Sequence, residues 1–129
     1  MVPRLLSYRR LGVTVLFKDS DFAMRVYENS MSPTYPSGCL IALKRNCDTY
    51  IQPGETYVVE TCSNRILTRL YWNESKTAFE CYSDNTDIHH TGPQKGEYIY
   101  APFEIALHEV VRLFDVLGVI RRNTSLIRS

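Results

Sequence analysis

The chain has little surplus charge of either sign. Its 129 residues hold fifteen lysines and arginines against fourteen aspartates and glutamates, a formal net charge of +1. That balance excludes the strong positive field by which a domain grips a phosphate backbone, so any nucleic acid would be touched by another part of the molecule. A sustained apolar run is also lacking. The N-terminal stretch MVPRLLSYRRLGVTVLFKDSD has arginines among its apolar residues, which excludes a signal peptide or a membrane anchor. Of the four cysteines, Cys39, Cys47, Cys62 and Cys81, no two form a close C-x-x-C pair. A zinc site or redox motif needs that pair, so the expectation is free, mostly buried thiols in a reducing cytoplasm, with no metal and no cofactor. The N-x-S triplets at Asn73 and Asn123 matter only on a secreted chain and carry no weight. No internal repeat and no low-complexity segment is present.

What remains is the composition of a packed domain. With 44% hydrophobic and 22% charged residues the chain falls outside the disordered and fibrous classes. Its length allows one domain with a real core and is too short for two of ordinary size, so residues 1–129 read as one folding unit. GVTVLFK and DFAMRVY are rich in β-branched and aromatic residues and read as strands, the second with Phe22, Met24 and Val26 alternating with Ala23 and Arg25. CLIALKR, TYVVETC, RILTRLYW and TAFECYS follow as further short strands, with a Pro-Gly turn in NCDTYIQPGE and a hairpin connection at SNR. After the polar tract DNTDIHHTGPQKGE the pattern is ambiguous. Phe103, Leu107, Val110, Phe114 and Leu117 fall at helical spacing, whereas VVRLFDVLGVI suits a buried strand and Gly118 weighs against a helix. The reading adopted is a brief helical turn at Glu104 to His108, a final long strand up to Arg121, and a tail, RRNTSLIRS. Short strands at close spacing with turn signals between them predict a mainly β domain with little helix.

The stretch ENSMSPTYPSG, Glu28 to Gly38, stands between two of these strands. A serine beside a turn ordinarily caps it by bonding the nearby backbone. Here, however, the whole arrangement DFAMRVYENSMSPTYPSGCLIAL closely resembles the active-site segment of the LexA-like and phage-repressor serine peptidases: a strand, Ser-Met, a proline, and a Gly-led return into a second strand. PGETYVVE, RILTRLYW and CYSDN match later segments of that domain in order, so the resemblance runs from about Asp21 to Asn85, with a looser echo in DVLGVIRR. It implies the LexA C-terminal-like, signal-peptidase-like β fold, and a serine nucleophile at Ser30 activated by a lysine held neutral through burial.

The position aligned with that lysine is Thr68, which cannot act as a general base. Arg69 beside it stays protonated and alternates to the opposite face of the strand. The expected outcome is a degenerate site, with Ser30 at the nucleophile position and Thr68 where the base has been lost. A displaced base at Lys44 or Lys76 is the alternative, making the domain an active self-cleaving peptidase; the bland reading of both is an ordinary surface lysine. Glu28 and Asn29 occupy positions where the family usually has a glycine and an acidic residue, and the usual Ala-Gly or Cys-Gly cleavage dipeptide is absent. A signal-peptidase reading of Ser-Met-x-Pro needs a membrane anchor. A metal or ligand site at His89 and His90 is disfavoured because adjacent side chains on an extended loop point apart.

By the same resemblance, the domain is expected to be the dimerisation or regulatory half of a prophage-type transcriptional repressor. It would pair as a homodimer and contact DNA only indirectly, through an N-terminal helix-turn-helix domain for which no pattern precedes Val13. The apolar run Val110 to Ile120 is the candidate dimer surface, its alternative being a plain core strand. A regulatory protein partner is a further expectation.

Overall fold

A computed structural model describes residues 5–6 and 20–120. The GVTVLFK segment, expected as a strand, and the 121–129 segment, expected as a tail, lie outside the described residues. The elements in chain order are β1 (Leu5–Leu6), β2 (Phe22–Arg25), β3 (Leu40–Asn46), β4 (Thr56–Glu60), β5 (Arg65–Trp72), β6 (Ala78–Tyr82), β7 (Phe103–Ala106), a 3-10 turn (Leu107–Glu109) and β8 (Arg112–Ile120). They form one antiparallel sheet in the order β1-β2-β3-β8-β4-β5-β6-β7. The mainly β reading is therefore what the chain adopts. Among the described residues no helix is long and apolar enough to cross a membrane.

The last strand enters the middle of the sheet, between β3 and β4, and this insertion explains the pattern of burial. β4, TYVVE, is buried along its whole length. Its successive side chains point to opposite faces, and each face has a core. Val58 joins Met24, Met31, Ile41, Leu43 and Phe114 on one side. Tyr57 and Val59 join Leu70, Phe79, Cys81 and Leu113 on the other. A strand covered on both faces carries a continuous apolar run instead of an alternating one. Phe114 and Leu113 show the same division one strand away.

Several boundaries differ from the sequence reading. β2 stops at Arg25, and the buried Val26 instead bonds the start of the return strand, its N–H to Cys39 O at 2.9 Å and its carbonyl accepting from Gly38 N at 2.6 Å. Residues 103–106 form a strand the sequence reading missed, because pairing Ile105 with Phe79 buries both, whereas the helical spacing that begins at Phe103 has no surface to cover there. The helical turn is accordingly displaced to Leu107–Glu109, and the final strand, Arg112–Ile120, runs to the last described residue. β8 also contains one residue more than its partner needs. Ala42 faces Gly118 and Leu43 faces Val116, so Leu117 bulges out of register. The cysteines are free, as expected, but not mostly buried: only Cys81 is, Cys39 is half-buried, and Cys47 and Cys62 are exposed because they fall in the turns after β3 and β4.

Candidate functional site

Ser30 sits on a loop that the sequence pins at several points. The Val26 bonds to Gly38 and Cys39 close its neck, and Arg25 Nη1 donates to Gly38 O at 2.7 Å. Inside the loop Ser32 N bonds Asn29 O and Tyr35 N bonds Met31 O, a tight turn that drives Met31 fully into the first core. Ser30, next to that plug, is half-buried. Glu28 and Asn29 take ordinary backbone angles, since the only described non-glycine residues with positive φ are Thr49 and Lys76. The glycine the family usually places before Ser-Met is thus not needed to build this turn.

A second support comes from the turn after β6. Asn85 N donates to Ser30 O at 2.9 Å and Asn85 Nδ2 to Asn29 O at 2.9 Å. Asp84 accepts from Thr34 Oγ1 at 2.6 Å and is gripped by Arg69 through Nε at 2.5 Å and Nη2 at 2.9 Å. Arg69 Nη1 then reaches Gly54 O at 2.7 Å. A guanidinium fork on a carboxylate is a strong, geometrically specific contact, and Arg69 and Thr34 together hold the Asp84 carboxyl below its usual range despite its partial burial. The strap Gly54–Arg69–Asp84–Thr34 therefore ties the Ser30 loop to β5. Arg69 was assigned to the face opposite Thr68 from alternation alone. Its partners were not legible, because they lie far apart in the chain; the only trace was CYSDN, which recurs in the resemblance without a stated role.

Beside Ser30 runs a groove of about 460 Å³. Residues 24–28, residues 64–67, Ser83, residues 99–101 and Phe103 line it together with Ser30. Phe103 and Ile99 are exposed at its rim. β5 pairs with β4 through residues 65–69 but with β6 only through residues 69–72, so among the described residues 66–68 have no strand partner on the side away from β4. A strand side left open beside a groove is a feature by which an extended chain can be added to a sheet.

One further cluster borders the groove. Glu60 is nearly buried and faces Arg65 on β5 and Arg112 on β8 across the two ladders. Arg65 Nε lies 2.5 Å from Oε2 and Arg112 Nη2 2.9 Å from it, while Arg112 Nε bonds Oε1. Hydrogen bonding to Arg112, with Arg65 alongside, holds the Glu60 carboxyl below its ordinary range against the opposing effect of burial.

Thr68, expected at the base position, has its side chain otherwise engaged. Thr68 is 1% exposed, and its hydroxyl proton is directed to the carbonyls of Tyr82 at 3.1 Å and Arg69 at 3.2 Å. It does not line the groove, although its neighbour Leu67 does. Lys44 and Lys76 are both exposed. Lys44 borders a different cleft, with Tyr35 and Asp115, and Lys76 stands in the β5–β6 turn with φ 58°. Among the described residues no lysine lines the groove that holds Ser30 and its cations are Arg25 and Arg65; a guanidinium stays protonated. Among the described residues Ser30 Oγ has no hydrogen-bond partner. His89 and His90 lie in a hairpin closed by the Ile88–Tyr98 bridge, and among the described residues no group of three His, Cys, Asp or Glu side chains is placed to hold a metal ion.

No curated protein matches the chain. The family described as Peptidase S24-like matches residues 6–97, a span that takes in the Ser30 loop, residues 24–28 and 64–67 of the groove, Thr68 and the Asp84–Asn85 turn. The match covers well over half of the chain, and this protein therefore belongs to the Peptidase S24-like family, that of the LexA and phage-repressor C-terminal peptidase-like domains.

Proposed function

We propose that this domain is the dimerising, regulatory half of a prophage-type transcriptional repressor, and that its peptidase site is degenerate: the groove still accepts an extended chain segment but does not cut it. The observation that carries this reading is that no base faces Ser30 among the described residues. A serine hydroxyl needs a neighbouring group to take its proton, and among the described residues the groove's cations are guanidiniums, while Thr68 spends its hydroxyl on backbone carbonyls. Losing one member of a catalytic unit costs on the order of 10⁴- to 10⁶-fold in rate, which takes slow self-cleavage to nothing measurable.

Dimerisation is supported by β8. Its first half is core, with Leu113 and Phe114 fully enclosed. From Val116 to Ile120, however, among the described residues it pairs with β3 alone, because the ladder to β4 ends at Asp115. The segment VLGVI is thus half-buried, apolar and open along one edge, and such an edge is self-complementary about a two-fold axis. Of the Val110 to Ile120 run, it is the second half that fits a dimer surface. Two copies joined here would present two DNA-reading domains, carried outside this chain, to a two-fold operator.

The test has two arms. The chain is held at about pH 10, where roughly a quarter of even an ordinary lysine is neutral, beside a Ser30→Ala control. Intact protein in both is expected, and cleavage that depends on Ser30 would sink the degenerate-site reading. Sedimentation is expected to give a dimer that Leu117→Glu splits, raising the dissociation constant by about a hundredfold or more. A monomer at every concentration would refute the dimer.

A further inference from the structure

We infer that the cleft between the β3–β4 turn and β8 is a binding site for a neutral sugar, held through adjacent hydroxyls by Tyr57, Asp115 and Glu55. The cleft has a volume of about 600 Å³ and shares no lining residue with the Ser30 groove. That size suits a small organic molecule. Its floor is set by strand register: Lys44, Asp115 and Tyr57 stand opposite one another on β3, β8 and β4, and directly paired residues share a face of the sheet. The β3–β4 turn, which lines the cleft as well, is fixed in place. Ile51 is buried in the second core, while Asn46 Nδ2 donates to Tyr50 O at 2.7 Å and to Asp115 Oδ1 at 2.9 Å.

The donors and acceptors on the floor decide the chemistry of the ligand. Tyr57 is 6% exposed, and its hydroxyl accepts from Gln52 N at 2.7 Å. Burial, with the charges of Asp115 and Glu55 beside it, pushes the phenol up against the effect of the Gln52 bond, so it keeps its proton. Among the described residues that proton has no acceptor. Neither carboxylate is in an ion pair among the described residues, and the one side-chain bond they accept is that of Asn46 to Asp115 Oδ1. An unmet donor thus lies beside unmet acceptors. An anion would accept from Tyr57 but be repelled by Asp115 and Glu55. An ammonium would suit the carboxylates, yet it leaves the Tyr57 proton unmet and competes with Lys44. A hydroxyl both accepts and donates, so two on neighbouring carbons take the Tyr57 proton and give their own to the carboxylates. Charges around the cleft nearly balance, Lys44 and Arg45 against Asp48, Glu55 and Asp115, which favours a neutral molecule. Tyr50, 66% exposed, lines the same cleft. Its ring is an apolar surface for the C–H face of a pyranose whose hydroxyls meet the floor.

The experiment follows the amide spectrum of the isotope-labelled full chain during titration with the methyl pyranosides of glucose, galactose, mannose and N-acetylglucosamine, beside inorganic phosphate and methylammonium as charge probes. At least one glycoside is expected to shift the amides of Tyr50, Tyr57 and Asp115, with a dissociation constant of about 1 mM or tighter. Tyr57→Phe should abolish that binding, and the exposed variants Glu55→Gln and Tyr50→Ala should each weaken it about threefold to tenfold. Those two keep the test valid if Tyr57→Phe fails to fold. Absence of any shift with every glycoside at about 50 mM overturns the site and leaves water to meet the Tyr57 proton. Shifts confined to residues 24–28 and 64–67, or binding that Glu55→Gln and Tyr50→Ala both leave unchanged, overturn its place in this cleft. Tighter binding of phosphate or methylammonium overturns the assignment to a neutral ligand.

Discussion

Replacing Glu60 by glutamine keeps the shape of a side chain wedged between Arg65 and Arg112 and removes only its charge. Removing one partner of a buried ion pair commonly costs about 3–5 kcal/mol. Here the carboxylate is buried, its side chain 9% exposed, but the arginines are 19% and 28% exposed and regain some hydration. The discounted expectation is a loss of about 2–3 kcal/mol, which for a domain of this size lowers Tm by about 8–12 °C. The pH dependence separates charge from packing. The Glu60 carboxyl titrates below its ordinary value of 4.5 in the folded protein, so the unfolded chain binds the proton first. The charge therefore contributes its full stabilisation above that ordinary value and loses it as the pH falls through the lower folded one. Urea unfolding of both proteins at about pH 7 and about pH 3 should show a wide gap that narrows in acid. Asp84, also held below its usual range, titrates in both proteins and cancels from the difference. Equal stability at neutral pH, or a gap of the same width at both, would refute the reasoning and leave packing as the cause.

Two other perturbations probe the scaffold. Asp84→Ala releases Thr34 and leaves Arg69 with only the Gly54 carbonyl. It should cost about 2–4 kcal/mol and raise hydrogen exchange in residues 29–35 more than in β4; uniform exchange across both would contradict the strap. A disulfide-exchange reagent should modify Cys47 and Cys62 quickly in the native protein, since both are exposed. Cys81 should react only on unfolding, because burial pushes its thiol up to about 12. Rapid native labelling of Cys81 would contradict its place in the second core.

How far the sequence carried can be judged residue by residue. DFAMRV, CLIALKR, TYVVE, RILTRLYW and AFECY were each legible as strands, because β-branched and aromatic runs between turn residues are local signals. FEIA was not, because its only local feature is a short alternation, and its strand state depends on Phe79 arriving beside Ile105. Ser30 and Thr68 were found because their neighbours form a recognisable order along the chain. The groove beside Ser30 was not, since residues 24–28 and 64–67, which line it together, are far apart in the chain. Arg69 was correctly turned away from Thr68 by the period of a strand, yet neither its grip on Asp84 nor the pairing of Glu60 with Arg65 and Arg112 is written in any local pattern.

By itself, then, the sequence determined the class of the fold and the placing of Ser30 on a turn between strands, both of which depend on residue type and near-neighbour spacing. Tertiary structure alone decided that β8 enters between β3 and β4, with its ladder to β4 ending at Asp115, and that two arginines share the groove with Ser30. The physical reason is that strand order and cross-strand charge are set by which residues minimise exposed apolar surface and unpaired backbone across the whole chain, a sum that no window of sequence contains.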